Sequence, residues 1–314
     1  HAVSYGLIAW QAAALKAHHP LCFWPAALNN NQGMYPRRVY VEAIKRAGIP
    51  VYLPCVNRSE EIFIAEGDGI RTGLEAIASL NEDFRVRLLA NRARRGPFLG
   101  LADLRRRVGP GPEELALLIR CGALDFTGKP RPALFLEADL EKAAVGVPTT
   151  QYSVLSTQYS ALSTQYSVLG TQSPAPALFS DDPAIGWSPA EYPVDRRLRD
   201  EWDLLGFVAG PPLMSLFRPG LPAGLITSKD LPQNLGKRVS LAGVVATARL
   251  TPTTGGHTMQ FVTLEDEWGL IEATLFPGTC PPVAYLTLGP YIVTGLVEEQ
   301  YGVIGVTAHR FQKA

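Results

Sequence analysis

Apolar and polar positions alternate with two different periods along the chain, helical in the first half and strand-like at the end. Tyr5, Ile8, Ala12 and Leu15 recur on one face of a helix. Lys16, His18 and His19 crowd its last turn, where cations suit the helix dipole, and Pro20 stops it. Pro36 opens another helix, with Tyr40, Ile44 and Ala47 on one face and Gly48 as its end. The run "IPVYLPCVN" from Ile49 is extended, and its prolines keep it at a sheet edge. From Ile70, "IRTGLEAIASLNEDFRVRLLANRARRGPF" predicts helix, tight turn and helix, broken at Gly96-Pro97. The next unit turns at "GPGP" and resumes with Leu115, Leu118 and Ile119 on one face. A short helix is expected around Arg196–Leu205.

From Gly236 the period falls to two. "RVSLAGVVATARL", "HTMQFVTLEDEWG", "LIEATLFP", "PYIVTGLVEEQYG" and "VIGVTAHRF" are strand-like runs separated by Gly and Pro turns. Five short strands with a helix-sized gap after the third match the layout of an OB barrel. The expected fold is therefore α+β and multidomain, mostly helical first and a five-stranded OB β-barrel last. Between the halves, "QYSVLST QYSALST QYSVLGT" repeats a heptad from Gln151 to Thr171. Its apolar residues are adjacent rather than spaced for a coiled-coil seam, and Ser, Thr, Tyr and Val favour extended chain. We read it as a low-complexity insertion in a linker that continues through the proline-rich "SPAPALFSDDPAIGWSPAEYP".

Composition narrows the partners only slightly. The chain has 314 residues, no net charge, and 46% hydrophobic against 18% charged residues, which suits a soluble globular protein. Charge is locally uneven, because Arg71–Arg107 holds nine arginines and four carboxylates. The four cysteines are scattered, without a paired spacing for a disulfide framework or zinc site, so no metal is expected. No apolar segment is long enough to span a bilayer and no signal peptide precedes the first helix, so a cytoplasmic protein without membrane contact is expected.

The motif "FVTLEDEWGLIEATLFP" resembles the OB domain of the bacterial DNA polymerase III alpha subunit, the C-family DNA polymerase. The resemblance extends backward through "HAVSYGLIAWQAAALKAHHP", "ALNNNQGMYP", "GIPVYLPCVNRS", "IRTGLEAI", "RRGPF", "LIRCGALD" and "EWDLLGF", in family order. It implies the end of a fingers domain at 1–60, a helix-hairpin-helix region at 61–145, a linker at 146–195, a connector at 196–235 and an OB domain at 236–314. The chain would then be a C-terminal, DNA-holding piece of a template-directed polymerase. It opens without a methionine and with a helix already under way, and no spaced catalytic carboxylates stand in it. By this reading the Mg²⁺-binding palm lies upstream and the fragment alone is inactive.

The resemblance also implies sites. Helix-hairpin-helix units offer backbone N–H groups to duplex phosphates while arginines neutralise others. That points to Arg71, Ser79, Asn81, Arg85, Arg92, Arg94 and Arg95, with Ser79-Leu80-Asn81 in place of the family's Gly-x-Gly hairpin. On the barrel, Arg249, Phe261, Phe276 and Tyr301 are candidates for single-stranded DNA, although the aromatics could instead fill the barrel core. His1 and Tyr5 would face the incoming nucleotide. Leu178-Phe179 stand where the family's peptide grips its sliding clamp, but Ala175 replaces the anchoring Gln. The implied partners are primer-template duplex, single-stranded template, the clamp and other replisome subunits. A freestanding helix-hairpin-helix and OB module of repair or recombination, or a gene remnant, are the alternatives.

Overall fold

The computed structural model describes residues 2–30, 33–146, 189–253, 255–300 and 302–314. The helical body comprises α1 (Ala2–His18), α2 (Pro20–Asn29), α3 (Arg37–Arg46), α4 (Glu82–Arg95), α5 (Leu101–Val108), α6 (Pro112–Arg120) and α7 (Arg131–Gly146). α8 (Val194–Leu205) follows and returns to the same core through Leu204 and Leu205. The heptad repeat lies outside the described residues.

α1 forms where its periodicity predicts and ends before Pro20, yet it has no buried residue. Tyr5, Ile8 and Leu15 are all half or more exposed, so the periodic face meets no core among the described residues. α2 is different, burying Trp24, Pro25 and Leu28. One apolar cluster then runs from Trp24 to Ala209 and crosses residue 60 without a break. Phe63, Phe84, Phe98 and Phe207 are among its fully buried side chains. Each contributes roughly 1.5–3 kcal/mol of transfer free energy.

The helix expected from Ile70 does not form. Gly69–Arg71 is instead strand β3, in a small sheet with β1 (Val51–Tyr52) and β2 (Ile64–Glu66), ordered β1-β3-β2. A single 3₁₀ turn, Leu74–Ala76, follows. Ile70, Leu74 and Ile77 are all buried, which produces the helical spacing without a helix. Gly73 explains the difference. A Cβ there would lie 2.6 Å from the Glu61 carbonyl oxygen, so the chain must stay extended against that loop. The proline-flanked β1 does occupy an edge, as expected.

At the other end β4 (Arg238–Pro252), β5 (Thr258–Glu265), β6 (Leu270–Leu275), β7 (Tyr291–Gln300) and β8 (Val303–Lys313) close a barrel in the order β4-β5-β6-β8-β7. All pairs are antiparallel except β6 with β8. Val262, Leu264, Ile271, Ala273 and Leu275 point inward by strict alternation. The gap between β6 and β7 contains no helix. It is an irregular loop whose Cys280, Val283 and Leu286 pack on the barrel core, and Gln260 pins it by accepting from the Val283 N–H at 2.8 Å.

Two devices join the barrel to the helical body. Leu198, Val208, Leu213 and Met214 pack against Ala242, Val244 and Ile292 of the barrel. Beside them Glu265 accepts from Arg38 and Arg46, both at 3.0 Å.

Candidate nucleic-acid interface

The hairpin before α4 is tight and unusual. Ser79 has φ 63, the only non-glycine in the left-handed region among the described residues. An L-residue held there costs roughly 1–2 kcal/mol, which is why glycine is common at such turns. Asn81 caps α4, its side-chain oxygen accepting from the Phe84 N–H at 3.2 Å. Glu82 and Asp83 complete the first turn, which suits the helix dipole but places negative charge beside the hairpin. Both Ser79 and Asn81 are exposed.

Most of the arginine run is structural. Arg71 is buried, paired with Glu66, bonded to the Leu53 carbonyl at 2.7 Å and stacked on Tyr52. Arg85 donates to Glu61 at 2.8 Å and to the Leu80 carbonyl at 2.6 Å, bracing the hairpin from behind. Arg92 donates to the carbonyls of Val56 and Ser59 and to Glu60. Arg107 lies over Phe98 and ties Asn91, Gly96, Pro97 and Asp103 into the corner between α4 and α5. Burial acts to raise the Asp103 carboxyl, but hydrogen bonds from Arg107, the Leu99 N–H and Arg106 hold it below its usual range. Arg94 and Arg95 differ. Both are exposed and make no hydrogen bond or ion pair with the described residues.

A second hairpin, between α5 and α6, has a literal Gly-x-Gly at Gly109-Pro110-Gly111. Gly109 is left-handed at φ 66, while the Gly111 N–H already donates to Glu114 at 2.7 Å. The sequence shows the "GPGP" turn, and the structure adds that it is the hairpin joining α5 to α6. Arg131 is a residue that sequence reasoning missed. It is 1% exposed, pairs with Asp125 at 2.9 Å and donates to the Arg120 carbonyl at 2.8 Å, fixing α7 to the end of α6.

On the barrel, Arg249, Phe261 and Phe276 share one outer face. Arg249 lies opposite Phe261 in the β4–β5 register, and Phe261 lies opposite Thr274 on β6. Phe261 and Phe276 line a cleft of about 340 Å³ with Met259. They are therefore not barrel core, which resolves the alternative left open by the alternation. Tyr5 stands on α1 and is 63% exposed. His1, Tyr301, Leu178 and Phe179 lie outside the described residues.

Where the barrel meets α3, burial pushes the Glu265 carboxyl up to about 7, against the opposing pull of Arg46 and Arg38. Glu42, beside them, accepts from the Leu213 N–H at 3.2 Å and pairs with Lys45 at 2.7 Å. These contacts orient the barrel on the helical body. Among the described residues no group of three or more His, Cys, Asp or Glu is placed to hold a metal. No helix among them is long and apolar enough to cross a membrane.

A family model described as "Helix-hairpin-helix motif" matches residues 48–134. An error-prone DNA polymerase from Mycobacterium tuberculosis (strain ATCC 25618 / H37Rv) is 30% identical over 99% of this chain and 26% of its own length. The DNA polymerase III subunit alpha of Thermus aquaticus is 31% identical over 88% of this chain and 22% of its own length. The chain is thus similar to bacterial error-prone DNA polymerases and DNA polymerase III alpha subunits along nearly its whole length. It spans about a quarter of the length of these polymerase relatives. Among solved structures, asparaginyl-tRNA synthetase from Pyrococcus horikoshii is 20% identical over 29% of this chain and 22% of that chain, with a TM-score of 0.25, too low to bear on the fold. The hairpin before α4 and the hairpin between α5 and α6 both lie inside the matched residues 48–134.

Proposed function

We propose that this chain is the DNA-holding part of a C-family DNA polymerase. The observation that carries the reading is the polymerase likeness across 99% of the chain, with the helix-hairpin-helix match inside it. Arg94 and Arg95, extended from the last turn of α4, neutralise duplex phosphates, and the hairpin before α4 offers backbone N–H groups without reading sequence. The barrel is an OB fold, supported by its five strands and by the single parallel pair that closes it. Its outer face receives single-stranded template through Phe261 and Phe276, with Arg249 on a phosphate.

In this role the chain contributes grip and processivity in the cytoplasm, while phosphoryl transfer with Mg²⁺ falls to carboxylates outside the described residues. Contact with a sliding clamp through Leu178-Phe179 belongs to the same proposal. The test is a salt titration of the whole chain on a labelled primer-template. Binding of mixed-sequence duplexes with equal affinity, falling linearly on a log-log plot, is the expected result. Sequence-selective binding, or no binding at low salt, refutes it. Primer extension by the chain with Mg²⁺ and deoxynucleotides would refute the division of labour.

A further inference from the structure

The cleft on the barrel's outer face carries the wrong charge for a phosphate. Its ionisable lining groups are Glu272 and Glu298, and no Lys or Arg lines it. The two carboxylates stand on β6 and β7, each in register with Gly305 on the β8 strand between them. A Cβ at Gly305 would come within 3.1 Å of the Glu272 carbonyl oxygen, so the floor between the two acids stays bare. Thr307 donates to one Glu298 oxygen and leaves the other for a ligand. The Glu272 side chain is exposed and makes no hydrogen bond with the described residues. Phe261, Phe276 and Met259 supply an apolar wall beside this slot.

Such a slot suits a flat, neutral group with a π-face and an amino group at its edge, whose two N–H bonds can each meet a carboxylate. We propose that it takes one unstacked nucleobase bearing an exocyclic amino group, cytosine first, with the adjoining phosphate left outside on Arg249. This rests on the reading of the barrel face as a single-strand binder. Aromatic stacking accepts any base, whereas carboxylates accept from the cytosine N4 amino group. Thymine has a single N3–H between two carbonyl oxygens, and both oxygens would face the carboxylates repulsively. One cation at the rim also means a shallow salt dependence, with a slope near 0.7 for one phosphate on a single strand.

The test is fluorescence anisotropy of the full chain at pH 8 with labelled oligo(dC), oligo(dT) and an abasic strand, each of about twelve nucleotides, a length within the usual OB site range. The expected result is oligo(dC) tighter than oligo(dT) by about fivefold or more, with the abasic strand weakest. Replacing both acids, E272Q with E298Q, should bring the ratio close to one by supplying N–H donors to thymine. Both changes conserve shape, and the amide oxygen introduced by E298Q can still accept from Thr307, so folding should be preserved, which urea unfolding of the variant checks. Equal or tighter oligo(dT) binding by the unaltered chain, or an unchanged ratio in the Gln variant, overturns the base preference. Phe261→Ala separates the two levels. If it weakens both strands while the ratio was already one, the single-strand reading stands and only the preference falls. If it alters neither, or neither strand binds, both readings fall.

Discussion

Replacing Arg94 and Arg95 together by alanine separates the DNA-holding arginines from the structural ones. Both side chains are exposed and unengaged by the described residues, so the double variant should keep its folding free energy within about 0.5 kcal/mol. If each meets one duplex phosphate, its loss removes about 0.9 from the slope of log affinity against log salt. Two contacts then make the unaltered chain lose about 12-fold more affinity than the variant between 50 and 200 mM salt. Arg92→Ala should behave in the opposite way. Arg92 donates to two carbonyls and to Glu60, and its side chain is only 13% exposed. Truncation leaves those carbonyls without their partner and should cost about 2–4 kcal/mol in urea unfolding, with the salt slope unchanged under conditions where the protein is folded. Anisotropy on duplex DNA at three salt concentrations, paired with denaturation of each variant, reads both quantities. An unaltered slope in the double variant, or a flattened slope with undiminished stability in Arg92→Ala, refutes the assignment.

Other outcomes follow from the same packing. Arg131→Ala should destabilise by about 3–5 kcal/mol, because a buried guanidinium bound to Asp125 and to a carbonyl is lost, and a change below 1 kcal/mol in denaturant would contradict it. Ser79→Gly should relieve the left-handed backbone, raising stability by up to about 1 kcal/mol and tightening duplex binding; a lower melting temperature would count against strain at this turn. Burial raises Glu265 from an ordinary 4.5 to about 7, so stability from this group is full below pH 4.5 and is lost as pH rises through 7. The stability advantage of the unaltered chain over E265Q should therefore shrink from pH 5 to pH 8, and an advantage that grows instead would show the ion pairs outweighing burial. Maleimide should label Cys22 first, since Cys55, Cys121 and Cys280 are buried and burial pushes the Cys121 thiol up to about 12; equal labelling of all four in the native state would contradict the packing.

The positions that periodicity handled best are those where one face is buried and the other wet. The five barrel strands, α3 with its Gly48 stop, and α6 with Leu115, Leu118 and Ile119 follow directly from local pattern. Local pattern misjudged Ile70–Leu80 because Ile70, Leu74 and Ile77 are buried from several directions at once, and burial on all sides erases the difference between periods. The same residue type also hid two roles. Arg71, Arg92, Arg94 and Arg95 look alike in a basic run, yet whether a guanidinium is spent on carbonyls or free for phosphate depends on chain segments 18 to 36 residues away.

The sequence by itself determined the family resemblance, the five barrel strands in order, several of the helices, and the residue types available on each face, because these depend on local spacing and ordered motifs. Only the tertiary structure decided which arginines are free, that Phe261 and Phe276 line an outer cleft, and that Glu272 and Glu298 flank Gly305. Barrel closure is the physical reason for the last of these. It pairs β6 with β8 and β8 with β7, bringing together residues that no periodicity within a single strand can relate.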